Sequence, residues 1–173
     1  MGKKIVFLDR DGVINKLVER DGRQVSPRTF ADFELLPDVP IALRELRDSG
    51  FQIVVATNQP DISRGLMEIR ELELMNDFMY SIGINEIQIC SHSNEDNCEC
   101  RKPKAGLLRE YLKGLNEVVS EMWMVGDNQS DIDAGRLVNA NVIQIVNGKT
   151  TALSDAEKIA SNLLEATRHI CQR

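Results

Sequence analysis

The chain has 173 residues, 42% of them hydrophobic and 28% charged, which is the size and make-up of one globular domain spanning 1–173 rather than of a disordered or multi-domain chain. Twenty-one basic residues against 27 acidic give a net charge of −6, which argues against nucleic acid or an anionic membrane as a whole-surface partner, because both need a basic field. No apolar run approaches the ~20 residues of a membrane span, and the apolar stretch between Met1 and Asp9 is too short for a signal peptide, so a cytoplasmic protein is expected.

In chain order, Lys4 to Leu8 reads as a buried strand ending at Asp9. Residues 39–49 set Val39, Ala42, Leu43 and Leu46 on one helical face, and Gly50 stops the helix. Phe51 to Ala56 is a second strand, ending at Thr57. Residues 67–82 place Met67, Leu72, Met75, Phe78, Met79 and Ile82 at helical spacing, and Ile84 to Cys90 is a third strand. A helix over 105–119 follows Pro103, with Leu107, Leu108, Tyr111, Leu112 and Leu115 inward. Met122 to Val125 is a fourth strand, 130–139 a helix, and Val142 to Val146 a fifth strand. Residues 154–171 form a last helix, with Ser154 as N-cap and His169 as a solvated surface histidine. Alternating strands and helices predict an α/β fold with a parallel sheet covered on both faces. Ligands of such sheets bind beyond the carboxyl ends of the strands.

Three polar clusters stand at those ends: Asp9-Arg10-Asp11, Thr57-Asn58-Gln59 and Gly126-Asp127-Asn128. Asp9, Asp11, Asp127 and Asp131 would repel one another unless a cation sits among them, and a hard, oxygen-preferring ion such as Mg²⁺ suits the set. Thr57 adds a hydroxyl, and Lys102 an ammonium near a helix start. Together these groups suit phosphoryl transfer, with one carboxylate attacking phosphorus and a second, two residues away, moving the proton.

Cys90, His92, Cys98 and Cys100 make a Cys₃His set, the donor type of a closed, structural zinc site that would stiffen the polar loop 90–100. The loop runs into Arg101 and Lys102, so zinc would fix the approach of two basic residues to substrate. Arg101 is expected to make a bidentate contact with a second anionic or hydroxyl-rich part of that substrate. Cys171 stands apart as a free thiol.

The motifs Asp9-Arg10-Asp11-Gly12-Val13-Ile14-Asn15, Thr57-Asn58-Gln59, Arg101-Lys102-Pro103-Lys104 and Gly126-Asp127-Asn128-Gln129-Ser130-Asp131 together resemble the four ordered motifs of the haloacid dehalogenase (HAD) superfamily of phosphatases. The resemblance covers roughly residues 3–146 and implies a Rossmann-like HAD fold. By that resemblance Asp9 is the nucleophile that becomes an aspartyl-phosphate and Asp11 the general acid/base. Thr57 and Lys102 hold phosphoryl oxygens, with Asn58 and Arg101 beside them as substrate-binding residues. Asp9, the Asp11 carbonyl and Asp127 bind Mg²⁺, and Asp131 orders the metal's waters. The gaps between motifs leave no room for a large cap domain, so an open pocket is expected, covered by residues near Asn15–Phe33 and by the zinc loop.

The Cys-x-His…Cys-x-Cys-Arg-Lys-Pro pattern is similar to the branch of the family acting on heptose 1,7-bisphosphate or histidinol phosphate. Thr57-Asn58-Gln59-Pro60-Asp61-Ile62-Ser63-Arg64-Gly65 resembles the heptose type, with Pro60-Asp61 in place of Ser-Gly. The short zinc loop resembles the histidinol type. The expected partner is a small phosphorylated metabolite, met by a monomer or small homo-oligomer.

Overall fold

The computed structural model describes residues 2–147 and 156–172. Its centre is a six-stranded parallel sheet. The strands are β1 (Lys3–Leu8), β4 (Phe51–Asn58), β5 (Glu86–Cys90), β6 (Val119–Gly126), β7 (Asn141–Ile145) and β8 (Lys158–Ala160), arranged β5-β4-β1-β6-β7-β8. A short antiparallel hairpin, β2 (Val18–Arg20) and β3 (Arg23–Val25), stands apart from it.

β1 shows why the sheet is parallel and internal. Ile5, Val6, Phe7 and Leu8 are all completely buried, so neither face of the strand meets water and no polar alternation is needed. Val6 and Leu8 pack with Leu43, Leu46, Trp123 and Ile170 on one side. There lie the helices α1 (Val39–Asp48), α2 (Ile69–Ser81) and α5 (Leu163–Cys171). Ile5 and Phe7 pack with Leu107, Leu108, Met124 and Ile132 on the other, beneath α3 (Gly106–Lys113) and α4 (Gln129–Arg136).

The strand order reverses at β1. The chain leaves it towards β4 and β5 and returns on the far side as β6 and β7. Such a switch point opens a crevice above the strand ends. Register makes that crevice polar: Leu8 is level with Val55 and Val125, so the next residues of all three strands reach it together.

Several elements differ from the sequence reading. The helix expected over 105–119 ends at Lys113, because Gly114 caps it, and β6 already begins at Val119. The expected 130–139 helix stops at Arg136. α2 begins at Ile69, leaving Met67 buried just outside it. The last helix starts at Leu163, capped by the Asn162 side chain, and is preceded by β8; Ser154 lies outside the described residues. His169 is half-buried, its ring edge-on to Trp123 at 5.9 Å, rather than solvated. The hairpin was not anticipated. Among the described residues no helix is long and apolar enough to cross a membrane.

Candidate active site

Three adjacent strand ends supply the floor of a cleft of about 750 Å³, within the range of small-molecule sites. β1 delivers Asp9, whose N–H donates to the Val125 carbonyl at 2.9 Å, fixing it against β6. β4 delivers Thr57 and Asn58, and β6 leads into Asp127. α4 then begins with a reciprocal cap. The Asn128 carbonyl takes the backbone N–H of Asp131, and Asp131 Oδ2 takes the Asn128 N–H, each at 3.1 Å.

Lys102 comes from the loop before α3 and is buried among these acids. Its Nζ lies 2.6 Å from Asp9 Oδ1, 2.6 Å from Asp131 Oδ1, and donates to the Ala56 carbonyl at 2.6 Å. Its backbone is clamped from β4: Asn58 Oδ1 accepts the Lys102 N–H and Asn58 Nδ2 donates to the Lys102 carbonyl, each at 3.1 Å. Asn58 therefore reaches the lysine's main chain, and Asp131 holds its ammonium.

Asp9, Asp127 and Asp131 offer carboxylate oxygens within 4.8 Å of one another, and all three are buried. One ammonium does not balance them. Burial pushes the Asp9 carboxyl up to about 8 against the pull of Lys102. Burial, then the neighbouring Asp131, pushes Asp127 up to about 7. The floor thus has a deficit of positive charge and a set of hard oxygen donors, the chemistry a divalent cation such as Mg²⁺ fits. Gly12 makes the space: its φ is +86°, and a Cβ there would come 2.3 Å from Asp127 Oδ2.

Asp11 is held differently. The fully buried Arg10 donates from Nε and Nη2 to Asp11 Oδ1 at 3.2 and 3.0 Å, and from Nη2 to Oδ2 at 3.1 Å. Asn15 Nδ2 donates to Oδ1 at 2.9 Å, while Gln59 Nε2 and Ser26 Oγ donate to Oδ2 at 2.8 and 3.0 Å. Burial alone would raise the acid, but the Arg10 charge and the bonds from Asn15 and Gln59 hold it below the ordinary carboxylate range. Gln59 Nε2 also donates to Thr57 Oγ1 at 2.8 Å, so one amide spans the hydroxyl and the acid.

The structure therefore brings Asp9, Asp11, Thr57, Asn58, Lys102, Asp127 and Asp131 to one place. Arg101 is not among them. Its Nε donates to Asn94 Oδ1 at 2.6 Å and its Nη1 to the His92 carbonyl at 3.2 Å, which turns it onto its own loop. Gln59 and Arg10 were overlooked although both sit inside quoted motifs; their meaning depends on where Asp11 points. The rim is built by Ser26 and Arg28 beyond the hairpin and by Asp61 and Arg64 beyond β4. The hairpin segment covers the cleft as expected, whereas residues 90–100, expected to cover it as well, do not line it.

In that loop Cys90, His92, Cys98 and Cys100 converge within 4.8 Å. Cys100 Sγ is 3.3 Å from both Cys90 Sγ and Cys98 Sγ, Cys90 Sγ is 3.6 Å from Cys98 Sγ, and His92 Nδ1 is 3.2 Å from Cys100 Sγ. These are far beyond a disulfide bond and close to the ~3.5–3.8 Å edges of a tetrahedron with Zn–S near ~2.3 Å. Burial and the Cys100 thiol push the Cys90 thiol up to about 12, and burial raises Cys100. At Cys98 burial is outweighed by the Arg101 N–H and the other two thiols, which bring it down to about 7, so one thiol of the three is turned towards the thiolate a metal takes. Cys171 is a free thiol apart from this group.

Comparison with known proteins agrees with this geometry. The haloacid dehalogenase-like hydrolase signature matches residues 3–139. A relative from Haemophilus ducreyi, named D-glycero-beta-D-manno-heptose-1,7-bisphosphate 7-phosphatase, is 32% identical and covers 96% of this chain and 95% of its own. A Pseudomonas aeruginosa protein of the same name is 31% identical, with 95% and 100% covered. Among solved structures, D,D-heptose 1,7-bisphosphate phosphatase from B. bronchiseptica, crystallised with magnesium and phosphate, superposes with a TM-score of 0.84 at 26% identity and 98% coverage of both chains. A HAD phosphatase from Thermococcus onnurineus shares the fold, with a TM-score of 0.69 at 17% identity and 96% and 97% coverage. Four motifs in order, a switch-point cleft floored by acids and a lysine, and a signature match over most of the length lead to one conclusion: the chain belongs to the haloacid dehalogenase-like hydrolase family.

Proposed function

We propose that this protein is a phosphatase that removes the 7-phosphate of a D-glycero-D-manno-heptose 1,7-bisphosphate through a phosphorylated Asp9. The observation that carries the reading is Asp9 itself, a buried carboxylate at the tip of the central strand, 2.6 Å from Lys102 Nζ and beside Asp127. The names of the relatives support the substrate.

Asp9, the Asp11 carbonyl and Asp127 would hold Mg²⁺, which would supply the charge neutralisation that lets an anionic nucleophile approach an anionic phosphate. Asp9 attacks phosphorus, and the bond to the sugar oxygen breaks as Asp11 gives that oxygen a proton. Asp11 then takes a proton from the water that attacks the aspartyl-phosphate, freeing phosphate and Asp9. The donors around Asp11 favour its ionised form, the form needed for the second step. Thr57 and Lys102 hold phosphoryl oxygens, Asn58 keeps Lys102 in place, and Asp131 orients Lys102 and would order the waters of a bound Mg²⁺. Cys90, His92, Cys98 and Cys100 would hold a zinc ion that stiffens loop 90–100, and Arg101 braces that loop from within through Asn94 and the His92 carbonyl.

Phosphate-release assays on both anomers of heptose 1,7-bisphosphate, on histidinol phosphate and on common sugar phosphates test the substrate. The kcat/KM for one heptose bisphosphate should exceed that for histidinol phosphate by about a hundredfold, because a site that takes a second phosphate rejects a substrate carrying an ammonium and an imidazole in its place. A preference for histidinol phosphate would overturn the assignment.

A further inference from the structure

Two arginines line the same cleft as Asp9 and take no part in the chemistry above. Arg28 lies beyond β3, and Arg64 lies in the loop beyond β4. Asp61, nearly buried, stands between them: Arg28 Nε donates to its Oδ2 at 2.7 Å, and Arg64 Nη1 is 3.5 Å from its Oδ1. Among the described residues neither guanidinium has another hydrogen-bond partner. Each guanidinium carries five N–H donors, so most of this donor capacity is uncommitted.

One carboxylate thus ties two loops across the rim; the exposed Glu95 also lies within reach of the Arg64 charge, so what the rim offers an anion is its uncommitted N–H donors rather than a bare excess of charge. The other cation on this side, Lys16, is already paired with Glu34. Asp61 occupies one of the two positions where the motif departs from the pattern it resembles. A planar fork that pre-orients N–H donors is the form of cation best matched to phosphate oxygens.

We propose that Arg28 and Arg64, aligned by Asp61, form the subsite for the second phosphate of the substrate, the one that is retained. This rests on the phosphatase reading but not on the identity of the sugar. The floor binds the phosphate that is cleaved; the rim selects substrates that carry another anion at the far end. A monophosphate engages the floor alone.

The test compares paired substrates: heptose 1,7-bisphosphate with heptose 7-phosphate, and fructose 1,6-bisphosphate with fructose 6-phosphate. Wild type should favour the bisphosphate of each pair it hydrolyses. Arg28→Ala and Arg64→Ala should each lower kcat/KM for the bisphosphate about tenfold, mainly through KM, since a hydrogen bond to a charged group is worth about that factor or more. The double variant should lose about a hundredfold. Monophosphate turnover should stay within about threefold in every variant. Equal losses on both members of a pair, or no loss on either, would overturn the subsite. If wild type ignores the heptose pair but the fructose pair shows the predicted collapse, the sugar assignment fails and the subsite stands. Equilibrium binding of the same compounds to Asp9→Asn protein, with and without the arginine substitutions, reads the subsite without turnover. A bisphosphate Kd that the arginine changes do not move would also overturn it.

Discussion

Gly12 shows how much of this site is decided by one missing atom. Its backbone sits at φ +86°, where an L side chain is strained, and a Cβ there would press to 2.3 Å from Asp127 Oδ2. Gly12→Ala should therefore displace Asp127 and weaken Mg²⁺ binding, raising the half-saturating Mg²⁺ concentration for activity about tenfold or more. It should also lower Tm by several degrees, from roughly 1–3 kcal/mol of backbone strain. A metal titration followed by a melting curve separates the two effects; a wild-type Mg²⁺ curve would mean that Asp127 has room to move. Asp9→Asn should act in the opposite sense. It should remove turnover by about a thousandfold or more while leaving the metal-free Tm near wild type, because burial already favours a neutral group there. Residues of this kind were legible because their chemistry is written in adjacent positions: Asp9, Asp11, Gly12. Gln59 was not, since its role lies in touching Asp11, 48 positions away, and Thr57 at once. Arg101 was legible as a cation, but its direction was set by Asn94 and the His92 carbonyl, which no spacing rule reports.

At the scale of elements, the loop 90–100 leads straight into the lysine of the active site. Its four donors converge, while Asn58 grips the Lys102 main chain just beyond them. A zinc ion held by those donors would therefore matter to the chemistry as well as to the fold. Cys98→Ser and Cys100→Ser should reduce zinc from about one ion per chain towards none, lower Tm by several degrees and cut kcat/KM about tenfold. Elemental analysis, melting and aryl-phosphate assays on the same preparations check this; full activity in zinc-free protein would show the loop and the lysine to be uncoupled. The strands were readable because complete burial leaves continuous apolar runs, as in Ile5 to Leu8. The helix over 105–119 was overrun because Leu115, Val118 and Val119 continue an apolar pattern past Gly114, and periodicity alone does not separate a helix tail from the next strand. The hairpin was missed for the opposite reason. Its strands are three residues each, largely polar and only half-buried at most, and only Asp21-Gly22, with φ of 50° and 71°, marks the turn between them.

For the whole molecule, the acidic floor makes stability depend on pH and metal together. Asp9 is pushed up to about 8 and Asp127 to about 7, both from 3.8. An acid whose pKa is higher in the folded than in the unfolded chain binds its proton more tightly when folded. The stability from that proton is complete below about 4 and is lost as pH rises through about 7 to 8. Metal-free protein should therefore melt at progressively lower temperature between about pH 6 and 8.5. Mg²⁺ held by these acids would bind the ionised carboxylates of the folded state and would have to displace those protons. Its stabilising effect should accordingly be small at pH 6 and larger at pH 8.5. Melting curves with EDTA and with saturating Mg²⁺ at the two pH values measure this as a difference of differences, in which carboxylates elsewhere on the surface cancel. Asp127→Asn should shrink both the metal-free pH slope and the Mg²⁺ increment. An Mg²⁺ increment that is the same at both pH values would show that Asp9 and Asp127 are already ionised without the metal, and that the burial of three acids around one lysine is balanced in some other way.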